Sequence, residues 1–172
     1  LSFSDEDEVI IPSHTYTSSA YPFVKQGAKI IWADIDFKSR VVNANTIESK
    51  ITKKTRAVVV VHLYGYIADM PEIRQLCVDN DLILIEDCAQ SLGTSLNGKR
   101  AGTYGDMSIF SHHSQKNIST LGEGGVLVVK NPKYAEIIPM LRHNGHSGYE
   151  DQKYYWKPAM SNVDYPKLNG NY

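Results

Sequence analysis

Within 172 residues, 18 basic side chains stand against 19 acidic ones, scattered without long runs of one sign, so the chain carries no field suited to nucleic acid or an anionic membrane and a small-molecule partner is expected. A chain of this length buries enough surface for one compact core, and no apolar run nears the roughly 18 residues that span a bilayer, which predicts a soluble protein, expected in the cytoplasm. Cys77 and Cys88 form no CxxC pair and are too few for a secreted scaffold, so free thiols are expected.

In chain order, "EVIIPS" and "GAKIIWADID" are short apolar runs ended by proline or acidic turn residues, and both suit buried strands. "NANTIESKI" has helical spacing at Ile47 and Ile51, with Asn43 or Asn45 as its cap. The valine-rich run Ala57 to Val61 predicts a central parallel strand. "DMPEIRQLCVDND" predicts a helix capped by Asp69, with Pro71 in its first turn, one apolar face at Ile73, Leu76 and Cys77, and its end at Asn80 and Asp81. "LILIEDCAQSLG" is a fully apolar strand that stops at Glu86 and Asp87. "DMSIFSHHS" and "GGVLVVKN" predict two more strands, and "NPKYAEIIPMLRHNG" a helix that Pro139 should kink or end. The residues from Tyr149 to Tyr172 are aromatic, proline-bearing and aperiodic, which predicts a long loop.

Strands alternating with helices predict an α/β fold, a mostly parallel sheet covered by helices on both faces. Ligands of such sheets gather at the carboxyl ends of the strands. The residues to weigh are therefore Ser13 to Tyr16, His62 to Gly65, Asp87 to Gln90 and Ser111 to Lys116.

Three chemistries compete in "FSHHSQKNISTLGEGG", Phe110 to Gly125. For a metal, His112 and His113 would leave opposite faces of a strand, His143 and His146 follow a helix end, and neither HExxH nor paired cysteines occur. For a phosphate cradle, "LGEGG" fits neither the P-loop nor the dinucleotide pattern and precedes a strand; its glycines say only that backbone turns tightly or crowds something. The third reading is a reactive amine at Lys116, and it gains from Asp87. A carboxylate at the end of a buried strand would suit a helix cap on the following turn, or would hold the proton on a pyridine nitrogen whose ring aldehyde bonds the lysine. The second arrangement is a pyridoxal phosphate site.

"PSHTYTSSA", "WADID", "VVVVHLYG", "IEDCAQSLGTSLNGKRAGTYGD", "IFSHHSQKNISTLGEGG", "LRHNGHSG" and the closing "NGNY" resemble, in order and spacing, the DegT/DnrJ/EryC1/StrS family of sugar aminotransferases, from about Glu8 to Tyr172. The resemblance implies the large domain of pyridoxal phosphate fold type I, with the whole chain forming part of that domain. It matches Lys116 to the lysine that bonds the cofactor aldehyde, Asp87 to the aspartate facing the pyridine nitrogen, and Gln90 to the residue at the ring hydroxyl. Ser111 corresponds to a serine that binds the cofactor phosphate, Tyr16 to an aromatic stacked on the ring, and Asn171 to an asparagine reaching the phosphate of a neighbouring subunit.

Family members read "SFHPTKN" or similar where this chain has "SHHSQKN", which leaves His112 and His113 without a role. The family's upstream glycine-threonine phosphate-binding turn and downstream small domain find no counterpart, so the chain resembles the central part of a longer protein. The activity implied is transfer of an amino group from glutamate or glutamine to a keto group of a nucleotide-linked deoxysugar, for surface polysaccharides or glycosylated metabolites, by a homodimer with shared active sites. Two alternatives remain: a non-catalytic paralogue or fragment that binds nucleotide-sugar, and a dehydratase, in which the family replaces the lysine by histidine.

Overall fold

The computed structural model of the chain describes residues 1–142, so the loop expected at 149–172, together with Asn171, His143 and His146, lies outside the described residues. The strands are β1 (Glu8–Pro12), β2 (Lys29–Ala33), β3 (Thr55–Val61), β4 (Ile83–Asp87), β5 (Ser95–Leu96), β6 (Lys99–Arg100), β7 (Met107–Ser111) and β8 (Gly125–Val129). The helices are α1 (Tyr21–Lys25), α2 (Ala44–Glu48), α3 (Met70–Asp79) and α4 (Pro132–Arg142). Residues Leu1–Val128 form one compact unit; the segment from Val129 onward, with α4, forms another. None of the described helices is long and apolar enough to cross a membrane.

Among the described residues, six strands form one sheet in the order β2-β1-β3-β4-β7-β8, and β5 pairs with β6 in a separate antiparallel hairpin. The pairs β1–β2, β1–β3, β3–β4 and β4–β7 are all parallel, as the alternation of elements predicted. Period two divides β3 between two cores. Val58 and Val60 join Ile10, Leu84, Ile47 of α2 and Met70, Ile73 and Cys77 of α3 on one face of the sheet. Ala57, Val59 and Val61 join Val9, Ile11 and Ile85 on the other, where Phe23 of α1 packs. Both faces are thus covered, which is why the central strands read as unbroken apolar runs. The chain leaves β1 for β2 on one side and returns to β3 on the other, so the strand order reverses between β1 and β3. Such a reversal opens a crevice at the carboxyl ends.

Several expectations are corrected. β2 is an edge strand and only partly buried, with Lys29 exposed and Trp32 half in solvent, because only β1 pairs with it. Asn43 caps α2 in a reciprocal box with Thr46, whereas Asp69 makes no cap bond to α3; its backbone (φ −71°, ψ 79°) is not the extended shape from which a side chain reaches the first turn. β7 ends at Ser111, so His112 and His113 follow the strand rather than alternate along it. α4 does not end at Pro139 but runs through it to Arg142, forgoing the one hydrogen bond that proline cannot donate. The β5–β6 hairpin turns on Asn97 and Gly98, both left-handed (φ 51° and 79°).

The start of β4 and the start of β7 are clamped together. Asp106 accepts both hydrogen bonds of a forked contact from Arg74 (2.9 and 2.8 Å) and one from the Leu84 N–H (2.9 Å). Gly105 beside it has no room for a side chain: a Cβ there would lie 2.8 Å from the Leu84 carbonyl oxygen and 2.9 Å from that of Met107. Gly105→Ala should therefore cost more than about 2 kcal/mol, because only backbone could yield. Gly98→Ala, where nothing lies within 4 Å and only the positive φ resists, should cost about 1 kcal/mol. Urea denaturation of the two variants checks the ranking.

Candidate active site

A cavity of about 730 Å³ opens at the carboxyl ends of the strands, where the reversal of strand order placed it. Four chain segments wall it: Thr15 to Ser19 after β1, Val61 and Leu63 at the end of β3, Asp87 to Gln90 from β4, and Ile109 to Lys116 from β7 onward, with Glu123 and Gly124 closing one side. Of the residues singled out in the sequence, Tyr16, Asp87, Gln90, Ser111 and Lys116 all line it.

Asp87 is 6% exposed at the last position of β4. One carboxylate oxygen accepts from the Ala89 N–H (3.0 Å), so the turn-capping reading holds for that oxygen. The other accepts from the Ser19 hydroxyl at 2.7 Å. Ser19 has one proton, spent on Asp87; the contact between Thr15 Oγ1 and Ser19 Oγ (2.8 Å) is therefore donated by Thr15. Asp87 makes no ion pair among the described residues. Two hydrogen bonds to a buried carboxylate leave unused lone pairs directed at the cavity.

Gln90 is oriented by a backbone group whose role is fixed. Its Oε1 accepts from the Tyr64 N–H (2.8 Å), which leaves the Nε2 amine as the donor end. Tyr64 (φ 55°) and Gly65 (φ 82°) are both left-handed, and this tight turn carries the N–H to Gln90. Tyr16 stands at the mouth with its ring 75% exposed.

Ser111 ends β7, and its oxygen accepts from the His113 N–H (3.3 Å), so its own proton is free to donate elsewhere. Lys116 follows in a turn closed by its N–H on the His113 carbonyl (2.9 Å); its amine makes no hydrogen bond or ion pair among the described residues. His113 takes the Gln115 N–H on Nδ1 (3.2 Å) and directs Nε2 toward Glu123 (3.5 Å), forming a polar wall beside Lys116. Of the clustered glycines, Gly125 serves close packing: a Cβ there would lie 2.8 Å from the Phe110 carbonyl oxygen, so only glycine lets β8 come up against β7, whereas Gly122 has nothing within 4 Å.

On the opposite side of β4, Glu86 and His62 are fully buried. Glu86 accepts from the N–H groups of Gly102 (2.8 Å), Tyr104 (2.7 Å) and Gly105 (2.5 Å) and from His62 Nε2 (3.0 Å). His62, Glu86 and Cys88 place their ligand atoms within 4.8 Å of one another, but the carboxylate lone pairs are already met by four donors, and burial pushes the Cys88 thiol up to about 12. Cys77 is likewise a free, buried thiol, as expected.

Burial alone would raise the Glu86 carboxyl, but the hydrogen bonds from His62, Gly105 and Gly102 outweigh it and hold Glu86 below the ordinary carboxylate range. A group whose folded value lies below its unfolded one contributes stability that is complete above the unfolded value and is lost as pH falls through the folded one. The stability difference between the native protein and Glu86→Gln should therefore be constant near neutrality and shrink below about pH 4. Denaturant unfolding across that range checks it; a gap unchanged in acid would mean that Glu86 is not ionised in the fold.

Ser19 and Glu86 escaped the sequence reading as site-shaping residues. "SHTYTSS" offers several hydroxyls without saying which one faces a residue 68 positions away.

The sequence profile of the DegT/DnrJ/EryC1/StrS aminotransferase family matches residues 1–165. The chain belongs to that family. It is 42% identical to the GDP-perosamine synthase of Vibrio cholerae over 161 residues, 94% of this chain and 43% of that protein. Among solved structures, the aminotransferase TlmJ from Streptoalloteichus hindustanus superposes with a TM-score of 0.81 at 30% identity, over 86% of this chain and 40% of that one. The E. coli GDP-4-keto-6-deoxy-D-mannose-3-dehydratase with bound hydrated PLP superposes at 0.79 and 28% identity, over 94% and 40%. The fold is that of the fold type I enzymes, as the resemblance implied, and the chain spans about two fifths of the length of these relatives.

Proposed function

We propose that the protein carrying this chain is a pyridoxal phosphate-dependent aminotransferase that moves an amino group from glutamate or glutamine onto a keto group of a nucleotide-linked deoxysugar, in the cytoplasm, toward a surface polysaccharide or glycosylated metabolite. The observation that carries this reading is a buried aspartate that shares one cavity with a lysine amine, neither of them in an ion pair among the described residues.

The residues fit the cofactor. Asp87 is a buried anion with spare lone pairs, which a protonated ring nitrogen would satisfy. Gln90 presents a donor to the ring hydroxyl, Ser111 a free hydroxyl proton to the phosphate, and Tyr16 an open ring face for stacking. When bound, pyridoxal phosphate supplies an electron-withdrawing ring and an aldehyde that takes up and returns an amino group. Asp87 keeps the proton on the ring nitrogen and so preserves that withdrawal, while Thr15 and Ser19 hold the carboxylate in place. Lys116 would hold the cofactor through its amine, and the same amine would be the base that moves a proton at the amino-bearing carbon.

The dehydratase reading requires a histidine in place of the lysine. His113 lines the same cavity, but Lys116 occupies the matched position. A guanosine diphosphate sugar, as in the name of the Vibrio cholerae relative, is the first substrate to try. We also propose a homodimer with shared sites, in which Asn171, outside the described residues, would serve the phosphate held by the partner.

Borohydride treatment of the full protein with its cofactor should fix a pyridoxyl group on the peptide containing Lys116. An adduct on Lys99 or Lys130 would overturn the assignment, and none at all would favour the non-catalytic reading. Asp87→Asn should leave the fold intact but cost about 3 kcal/mol or more of transition-state stabilisation in steady-state kinetics. Near-normal turnover would leave Asp87 as a turn cap only.

A further inference from the structure

Glu86 and Asp87 are consecutive on β4, so their side chains leave opposite faces: Asp87 lines the cavity, and Glu86 enters a closed pocket of backbone donors. The donors on Glu86 belong to the turn from Gly102 to Gly105, which leads directly into β7 and hence to Ser111. Ser108 of β7 ties back to the same turn through its hydroxyl on the Gly102 carbonyl (2.8 Å). His62 grips β4 twice. Its backbone N–H donates to the Asp87 carbonyl (3.1 Å), and its ring donates to Glu86.

The chemistry admits few substitutes. Four donors converge on Glu86, and a carboxylate offers four lone-pair positions where an amide offers two and adds donors of its own. His62 Nδ1 accepts from the Ala68 N–H (3.4 Å), which puts the ring proton on Nε2, toward Glu86. Burying a carboxylate is a weak route to stability, since well-packed apolar groups of similar volume often do as well. What this network adds to the β4–β7 ladder is a tie between the end of β4 and the turn that leads into β7.

We infer that the His62–Glu86 pair is a positioning device, holding Asp87 and Ser111 at the separation that one rigid ligand needs. The inference rests on the pyridoxal phosphate reading, in which Asp87 meets the ring nitrogen and Ser111 the phosphate at the far end of the same molecule. A shift of the 102–105 turn moves one contact relative to the other, and a rigid ligand cannot follow both. Neither His62 nor Glu86 lines the cavity, so they act through the residues they hold.

The test uses the full protein and three variants, with Ile47→Ala as a control: Ile47 is fully buried on α2 and does not line the cavity. In the cofactor-free protein, Glu86→Gln should lower hydrogen-exchange protection of the Gly102, Tyr104 and Gly105 amides. Titration with pyridoxal phosphate, at temperatures equally far below each variant's melting point, should show affinity reduced roughly tenfold or more relative to Ile47→Ala. His62→Gln, which keeps a donor toward Glu86, should retain most of the affinity, while His62→Met should lose it; this pair carries the comparison if Glu86→Gln does not fold. Equal losses for the Ile47 variant and the His62 or Glu86 variants would show a structural role only and overturn the inference, as would unchanged amide protection. If the native protein takes up no pyridoxal phosphate, the functional reading fails by itself, and the exchange measurement still decides whether Glu86 anchors the turn.

Discussion

Two carboxylates stand side by side at the end of β4, both buried, and the architecture around them follows from satisfying each in a different way. Glu86 is fully buried against the 102–105 turn, so its charge is tolerable only because backbone amides and His62 converge on it. Asp87 is treated oppositely. It receives one hydroxyl and one turn N–H and keeps acceptor capacity facing a cavity. One carboxylate is closed and holds structure; its neighbour faces the cavity.

The sheet makes this division possible. Period two along a parallel strand sends neighbouring residues to opposite faces, and helices on both faces bury both. The reversal of strand order between β1 and β3 then lets the chain after β1, with Thr15, Tyr16 and Ser19, fold over the strand ends and complete the cavity. Each polar contact there has a definite direction, because backbone N–H groups on Gln90 and Ser111 fix which atoms remain to meet a ligand.

Local signals in the sequence were read where the chain obeys local rules. The valine run of β3, the Asn43 cap and the abrupt acidic stop of β4 each announce themselves within a few residues. The Asn-Gly turn of the β5–β6 hairpin carried an equally plain signal that went unused. The exposure of β2 was not legible, because whether a strand lies at an edge depends on the order of the sheet rather than on its own residues. Lys116, Asp87, Gln90, Ser111 and Tyr16 were placed through family resemblance, and the structure gathers all of them around one cavity. The contacts that orient them, Ser19 on Asp87 and Tyr64 on Gln90, join distant segments and have no local signature.

The account stands or falls on the claim that Asp87 keeps a bound pyridine ring protonated. Nitrogen-15 NMR of the full protein loaded with ring-labelled pyridoxal phosphate reads that proton directly. A protonated ring nitrogen at neutral pH, lost when Asp87 is replaced by asparagine, is the expected result. A ring nitrogen that is unprotonated in the native protein, or protonated to the same extent without the Asp87 carboxylate, would contradict it.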